Sequence, residues 1–484
     1  VTIEELREHG ERLCEELGLE SYRAGAGLIE ATRFQEIYAR HTEVVGDAAV
    51  EAARESRELL EWVVDCRVGR EAAALDDRLH AWEASAVVVT ENGHRMPYQS
   101  VPVAIANEPR RERRRALDRA RREVQGEPAA IRRDRLARER ELVERLLGAG
   151  YVAARSKLSG MELEALARSS DDFLAASADM YRDVLHERLR RELDVAPGDA
   201  ERSDSAYLFR GASYDDVFTA PALVPLARRQ VAELGLEAEA AGRVRLDLEG
   251  RARKRARAFC APVRVPDEVY LVIRPHGGYP DYRAFWHELG HALHFAHTDR
   301  SLCFEARWAG DNSVTEAYAM LFEHVLSEPS WLRRYTGLSG ERLERFVNQQ
   351  AFALLAIVRR YAAKLRYEIE LVRAGAIGEG VRRYVAILTE ATGFRYFEED
   401  ALLDLDDGFY AARYLRAWQL EALLANWLRE KFDEDWYRNP RAGPVVLDLL
   451  CRGQSRDAAA LAESVIGAPL SFAPLMRACE AALA

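Results

Sequence analysis

The sequence predicts a mainly α-helical protein with one small β-sheet beside a helix that carries a histidine-rich motif. Three observations lead there. Apolar residues recur at helical spacing through most of the 484 residues. Proline is sparse before residue 196, so long helices can persist there. One stretch, 242–275, breaks the helical rhythm with alternation and β-branched residues.

The bulk numbers bound the partners. At 48% hydrophobic and 31% charged, the chain can bury a large core in one big domain or two to three lobes. A net charge of −11 and a pI near 5.7 speak against nucleic acid or an anionic membrane as partner. No apolar run approaches the roughly 18–20 residues that a membrane span needs. The opening VTIEELREHGERLCEELG is charged and amphipathic, with no apolar core of a secretory signal. Cys14, Cys66, Cys260, Cys303, Cys451 and Cys479 are scattered without a CxxC, which reads as reduced thiols in a cytoplasm.

In chain order, ELREHGERLCEEL, EAARESRELLEWVVDC and ERELVERLLGAGYVAAR each space apolar residues at three and four, as amphipathic helices do. Residues 107–144 are dense in arginine with interspersed acids. Without interleaved aromatics they read as solvated helix faces laced with i,i+4 pairs, not as a polyanion patch. The polar break VAPGDAERSDS, 195–205, divides the chain into a helical lobe 1–205 and a second lobe 206–484. The stretch 242–275 predicts the sheet, with a strand near 268–274. HGGYPD then turns the chain, and Pro280 and Asp281 suit the start of a helix.

That helix contains AFWHELGHALHFAH, 284–297. His287 and His291 are four apart, so both imidazoles leave one face and can chelate one zinc ion. Glu288 is rotated off that line and can serve as general base toward a zinc-activated water. Two unpaired histidines and an acid on a helix this apolar would otherwise be costly to bury. For the third ligand, His297 has the spacing that one zinc-peptidase pattern uses. The glycine which lets the chain turn back there is His294 here, and no methionine follows as a Met-turn. A continuing helix would place His297 about 240° around the axis from His291. His294 and His297 therefore read as packing or supporting residues.

DNSVTEAYAMLFEHVL, 311–326, predicts a second helix, with Glu316 25 residues beyond His291. Two roles compete for Glu316: metal ligand, or the glutamate of a capping box opened by Ser313. Glu323, seven residues on and on the same face, favours the ligand role, because it could orient a metal-bound histidine.

HELGHALH followed by TEAYAMLFE resembles the thimet oligopeptidase and oligoendopeptidase F family of zinc peptidases. DLEGRARKRARAFCAP, a strand and DYRAFWHELGH follow that family's order upstream, and GFYAARYLRAW, 408–418, resembles its Gly-Gly-Tyr-Ala-Ala-Gly-Tyr-Tyr stretch. The similarity covers about residues 240–420. The angiotensin-converting enzyme and carboxypeptidase Taq families share the general plan. The resemblance implies that His287, His291 and Glu316 bind one zinc ion per chain and that Glu288 is the base. It implies that Tyr410 donates to a tetrahedral oxyanion and that Tyr414 belongs to the same tyrosine cluster. It also implies two helical lobes around a deep channel for short unfolded peptides, in a monomer or homodimer. The chain departs from the family in two places. Leu405, between Asp404 and Asp406, stands where the family has a histidine, and Ala417 stands where it has a third tyrosine. His276, Tyr279, Arg413 or Arg416 could supply the missing donors.

The expected activity is hydrolysis of internal peptide bonds. The strand DEVYLVIRP, 267–275, is expected to bond the substrate backbone as an added strand. Two rivals stand beside this. A carboxypeptidase or dipeptidyl carboxypeptidase would use arginines near 413–416 as a carboxylate clamp. A helical binding protein with structural zinc would have no use for Glu288.

Overall fold

The computed structural model describes residues 1–374 and 377–483. Almost every element is a helix, among them Ile3–Gly25, Arg57–Ser85, Gly340–Arg373 and Tyr410–Phe432. Contacts divide the chain into two units. The first comprises Val1–Val63, Gly211–Ala351 and Arg416–Ala482; the second comprises Val64–Arg210, Phe352–Leu415 and, at the end of the described chain, Leu483. The polar break read at 195–205 lies close to one of the crossings between the units, at 210/211. Those at 63/64, 351/352, 415/416 and 482/483 fall inside helices, where composition does not change.

Among the described residues, five strands form two sheets: β1 Val87–Val89, β2 Arg95–Pro97, β3 Val244–Asp247, β4 Phe259–Arg264 and β5 Glu268–Val272. The β1–β2 hairpin belongs to the second unit, with Val88 opposite Met96. The sequence reading missed it, although Asn92-Gly93 between apolar runs is a hairpin signal. The other three strands form the predicted sheet of the first unit, in the order β3-β5-β4.

That order corrects one expectation. β5 is central, with β3 parallel on one edge and β4 antiparallel on the other. Its ladder positions are taken, so DEVYLVIRP has no edge to offer a substrate strand. The apolar run Val269–Ile273 is explained by burial within the sheet. Helix Ile3–Gly25 packs on β4 so closely that a Cβ on Gly25 would meet the Phe259 ring at 2.5 Å. Lys254 is fully buried, and its ammonium donates to the carbonyls of Asp247, Glu249 and Ile273 and to the Asp247 carboxylate.

The arginine-rich segment is also corrected. It forms two helices, Arg111–Glu123 and Gly126–Leu147. The i,i+4 pairs exist, Arg140 with Glu144 for example. Several arginines are nevertheless buried against carboxylates distant in sequence. Arg114 reaches Asp204 at 2.9 Å, and Arg121 reaches Asp400 at 2.8 Å. Composition shows charge; it does not show which charges fold inward.

Candidate metal centre

The motif helix runs from Tyr279 to His297 and the glutamate helix from Asn312 to His324. They meet at Gly290, where a Cβ would lie 2.6 Å from Ala319 Cα and 2.9 Å from the Tyr318 carbonyl oxygen. A glycine between the two histidines is what lets the second helix come this near.

The capping question at Glu316 is settled by Asp311. Asp311, not Ser313, is the N-cap of the glutamate helix, and its side chain accepts from Ser313 N at 2.9 Å. Its other oxygen accepts from Ala458 N at 3.0 Å. Glu316 is thereby released from the cap. Its Oε2 lies 3.3 Å from His287 Nε2 and 3.5 Å from His291 Nε2. The three donor atoms lie within 4.8 Å of one another.

The opposite nitrogen of each ring is engaged. His287 Nδ1 is 3.0 Å from Glu323 Oε2, and His291 Nδ1 is 2.9 Å from Thr315 Oγ1. An imidazole that donates from Nδ1 presents its Nε2 lone pair, so both rings aim a ligand atom at Glu316. Two imidazoles and a carboxylate suit zinc and leave its fourth position open. The donor set therefore fits the implied metal.

The electrostatics follow from charges packed at short range. Burial opposes a charged His287, yet the Glu316 and Glu323 carboxylates outweigh it and raise this imidazole to about 10. Burial likewise opposes an ionised Glu316, but His291 and His287 hold it well below the usual carboxylate range. Glu323 is lowered to about 2, with Arg283 and His287 overcoming its burial. Glu288 differs: burial raises its carboxyl in spite of the two histidines. That carboxyl lies against the Cys260 backbone of β4.

The other histidines of the motif helix stay out of the group. His294 is wholly buried against Phe295 and Tyr318, and burial lowers it to about 3. His297 faces Arg243 at 3.5 Å, because the helix continues without a turn at 294.

The candidate substrate residues are placed unevenly. Tyr279 is 5% exposed and packs edge-on against Phe218 and Phe346, which removes it from the candidate donors. The Gly277-Gly278 turn puts it on the core side of the helix start. His276 lies in the exposed loop before the motif helix, where its backbone N–H donates to Asp281. Arg416 lies 3.5 Å from Asp311 and 3.6 Å from Asp457, while its buried Nε and Nη2 make no hydrogen bond among the described residues. Arg413 is buried in the second unit. Tyr410 and Tyr414 also belong to that unit, with ring centroids 5.2 Å apart. Tyr361 packs on Tyr414 at 5.0 Å. Leu405 is flanked by two paired acids. Asp404 is buried against Arg202 and Arg360, and Asp406 pairs with Lys364 at 2.6 Å.

Thr315 and Arg283 were not singled out from the sequence. Thr315 had one usable signal, its position next to Glu316; Arg283 had only its place one turn before His287.

No protein-family model matches the sequence, and a comparison with curated proteins found no match. Solved structures do share the fold. PZ peptidase A with an inhibitor matches with a TM-score of 0.64 at 15% identity, over 93% of this chain and 82% of that one. A protein assigned as an oligoendopeptidase F matches with a TM-score of 0.65 at 15% identity, over 93% and 81%. An assigned peptidase from Chlamydophila abortus matches with a TM-score of 0.56 at 14% identity, over 93% and 79%.

Proposed function

We propose, on the premise of an oligoendopeptidase F-like fold, that the protein is a zinc-dependent peptidase acting on internal bonds of short, unfolded peptides. One observation carries this reading: His287, His291 and Glu316 converge beside Glu288, an acid outside the ligand set. A structural zinc is usually closed by four protein ligands, and among the described residues this group has three. The substrate class is taken from the structural neighbours, which are named as peptidases.

A zinc ion held by these three residues would supply Lewis acidity to a peptide carbonyl and bring water into reach as a nucleophile near neutral pH. The chain's own residues do the rest. Glu288 takes the proton of the attacking water and passes it to the leaving amine nitrogen. Its burial raises the carboxyl and makes it a stronger base than an exposed glutamate. Glu323 and Thr315 keep the two imidazoles turned toward Glu316. The family resemblance assigns Tyr410 and Tyr414 as phenol donors to the tetrahedral oxyanion, and both are part of this proposal.

The test is mass spectrometry of a pool of peptides of roughly 5–20 residues, incubated with and without a chelator. Internal cuts that disappear with chelator are expected. Loss of only one or two C-terminal residues would replace the reading with a carboxypeptidase, and no cleavage at all would sink both.

A further inference from the structure

Arg283 stands one helical turn before His287, and its Nε donates to Glu323 Oε1 at 2.5 Å. The other oxygen of that carboxylate, Oε2, lies 3.0 Å from His287 Nδ1. Residues i and i+4 of the motif helix thus hold the two oxygens of one carboxylate on the glutamate helix. We propose that Arg283 is a positioning residue for the metal centre: it fixes the plane of Glu323, so that His287 presents Nε2 toward Glu316. This rests on the zinc peptidase reading and names a further residue of that same site.

The physical argument compares two effects of opposite sign. The terminal torsion of a glutamate is broad, so a carboxylate held at one oxygen rotates easily. Glu323 has 20% of its side chain exposed, so water would compete for Oε1 if Arg283 were absent. Holding Oε1 from Arg283 and Oε2 from His287 removes that freedom, and the ionised donor makes the first of these bonds a strong one. Against this, a cation near a cation site repels the metal. That repulsion is small here, because the carboxylate which Arg283 grips offsets its charge and its side chain is 43% exposed and screened. Orientation therefore dominates. An ordinary ion pair at this exposure would only hold two helices together, and weakly. Such a pair would alter melting and leave metal affinity unchanged.

The experiment titrates zinc into metal-free protein against a chromophoric chelator, with thermal melting measured alongside. The proteins are wild type, Arg283→Met, Arg283→Lys, Glu323→Gln and the double variant Arg283→Met/Glu323→Gln. Arg283→Met is expected to weaken zinc binding about tenfold, the lower end for residues that orient a ligand. Arg283→Lys is expected to recover part of the loss. In the Glu323→Gln background, Arg283→Met is expected to add nothing, since the arginine acts through that carboxylate. Unchanged or tighter zinc binding by Arg283→Met overturns the proposal, whether or not its melting temperature falls. So does a full loss in the Glu323→Gln background. A wild type that binds no zinc removes the peptidase reading itself, an outcome distinct from these.

Discussion

Under the proposed function, Glu288 separates catalysis from metal binding at the level of one residue. It is no member of the ligand group, yet it sits next to His287 in sequence and against the Cys260 backbone in space. Glu288→Gln keeps the shape and removes the base. Zinc affinity is expected to hold while kcat/KM on a fluorogenic peptide falls by about 10²- to 10⁴-fold. Equal loss of both would make Glu288 a structural residue. The shared face of the two histidines was legible in the sequence because helical geometry alone fixes where residues i, i+1 and i+4 point. Glu316 was legible only as a choice between two roles. The answer lay with Asp311, whose carboxylate spans Ser313 N and Ala458 N, and 147 residues separate it from the second of these. Thr315 and Arg283 were not legible as functional, because their partners lie on another helix, 24 and 40 residues away.

The paired helices show how an element can be set by one small residue. Gly290 is costly to helix stability, by about 0.5–1 kcal/mol relative to alanine. Alanine there would still place a Cβ 2.6 Å from Ala319 Cα, so the glutamate helix must move and take Glu316 with it. Gly290→Ala is therefore expected to lower both the melting temperature and zinc affinity, against the gain in propensity. A variant that melts higher and binds zinc normally would show that the helices can separate without cost. At the far end of the glutamate helix, His324 pairs with Glu328 at 2.8 Å and with Glu421 at 3.1 Å. Burial alone would lower this imidazole; Glu421 and Glu328 outweigh burial and raise it to about 10. An unfolded histidine titrates near 6.5. The folded value is the higher one, so this cluster contributes in full below about pH 6.5 and is lost as the pH rises to about 10. The difference in melting temperature between wild type and His324→Gln should be largest near pH 6 and vanish near pH 10; a difference that grows with pH would contradict the assignment. Element type was read well where periodicity was long. It failed for the β1–β2 hairpin, three residues a strand, where pattern is too short to count.

At the scale of the molecule, fold class followed from periodicity, whereas the two compact units are set by contacts between segments distant in sequence. The first unit gathers three separate stretches of chain, and its sheet depends on the first of them. Helix Ile3–Gly25 lies on β4, Arg7 binds Glu305 at 2.9 Å, and Trp62 packs edge-on against Phe304 with centroids 4.7 Å apart. A fragment 206–484, the lobe that the polar break suggests, would lose all three. Its metal ligands would be present, but β4 would lose its cover and Phe304 its partner. Exposure of that much apolar surface favours a state with helical content and no fixed packing. Residues 206–484 expressed alone are expected to retain far-ultraviolet circular dichroism, bind a hydrophobic dye and melt without a cooperative transition. Adding 1–63 as a separate chain should restore cooperativity in part, because that segment brings back the contacts named above. If 206–484 alone melts cooperatively and binds zinc as tightly as the full chain, the division at 205/206 is the correct one, and the first 63 residues are an accessory to the metal centre rather than part of its foundation.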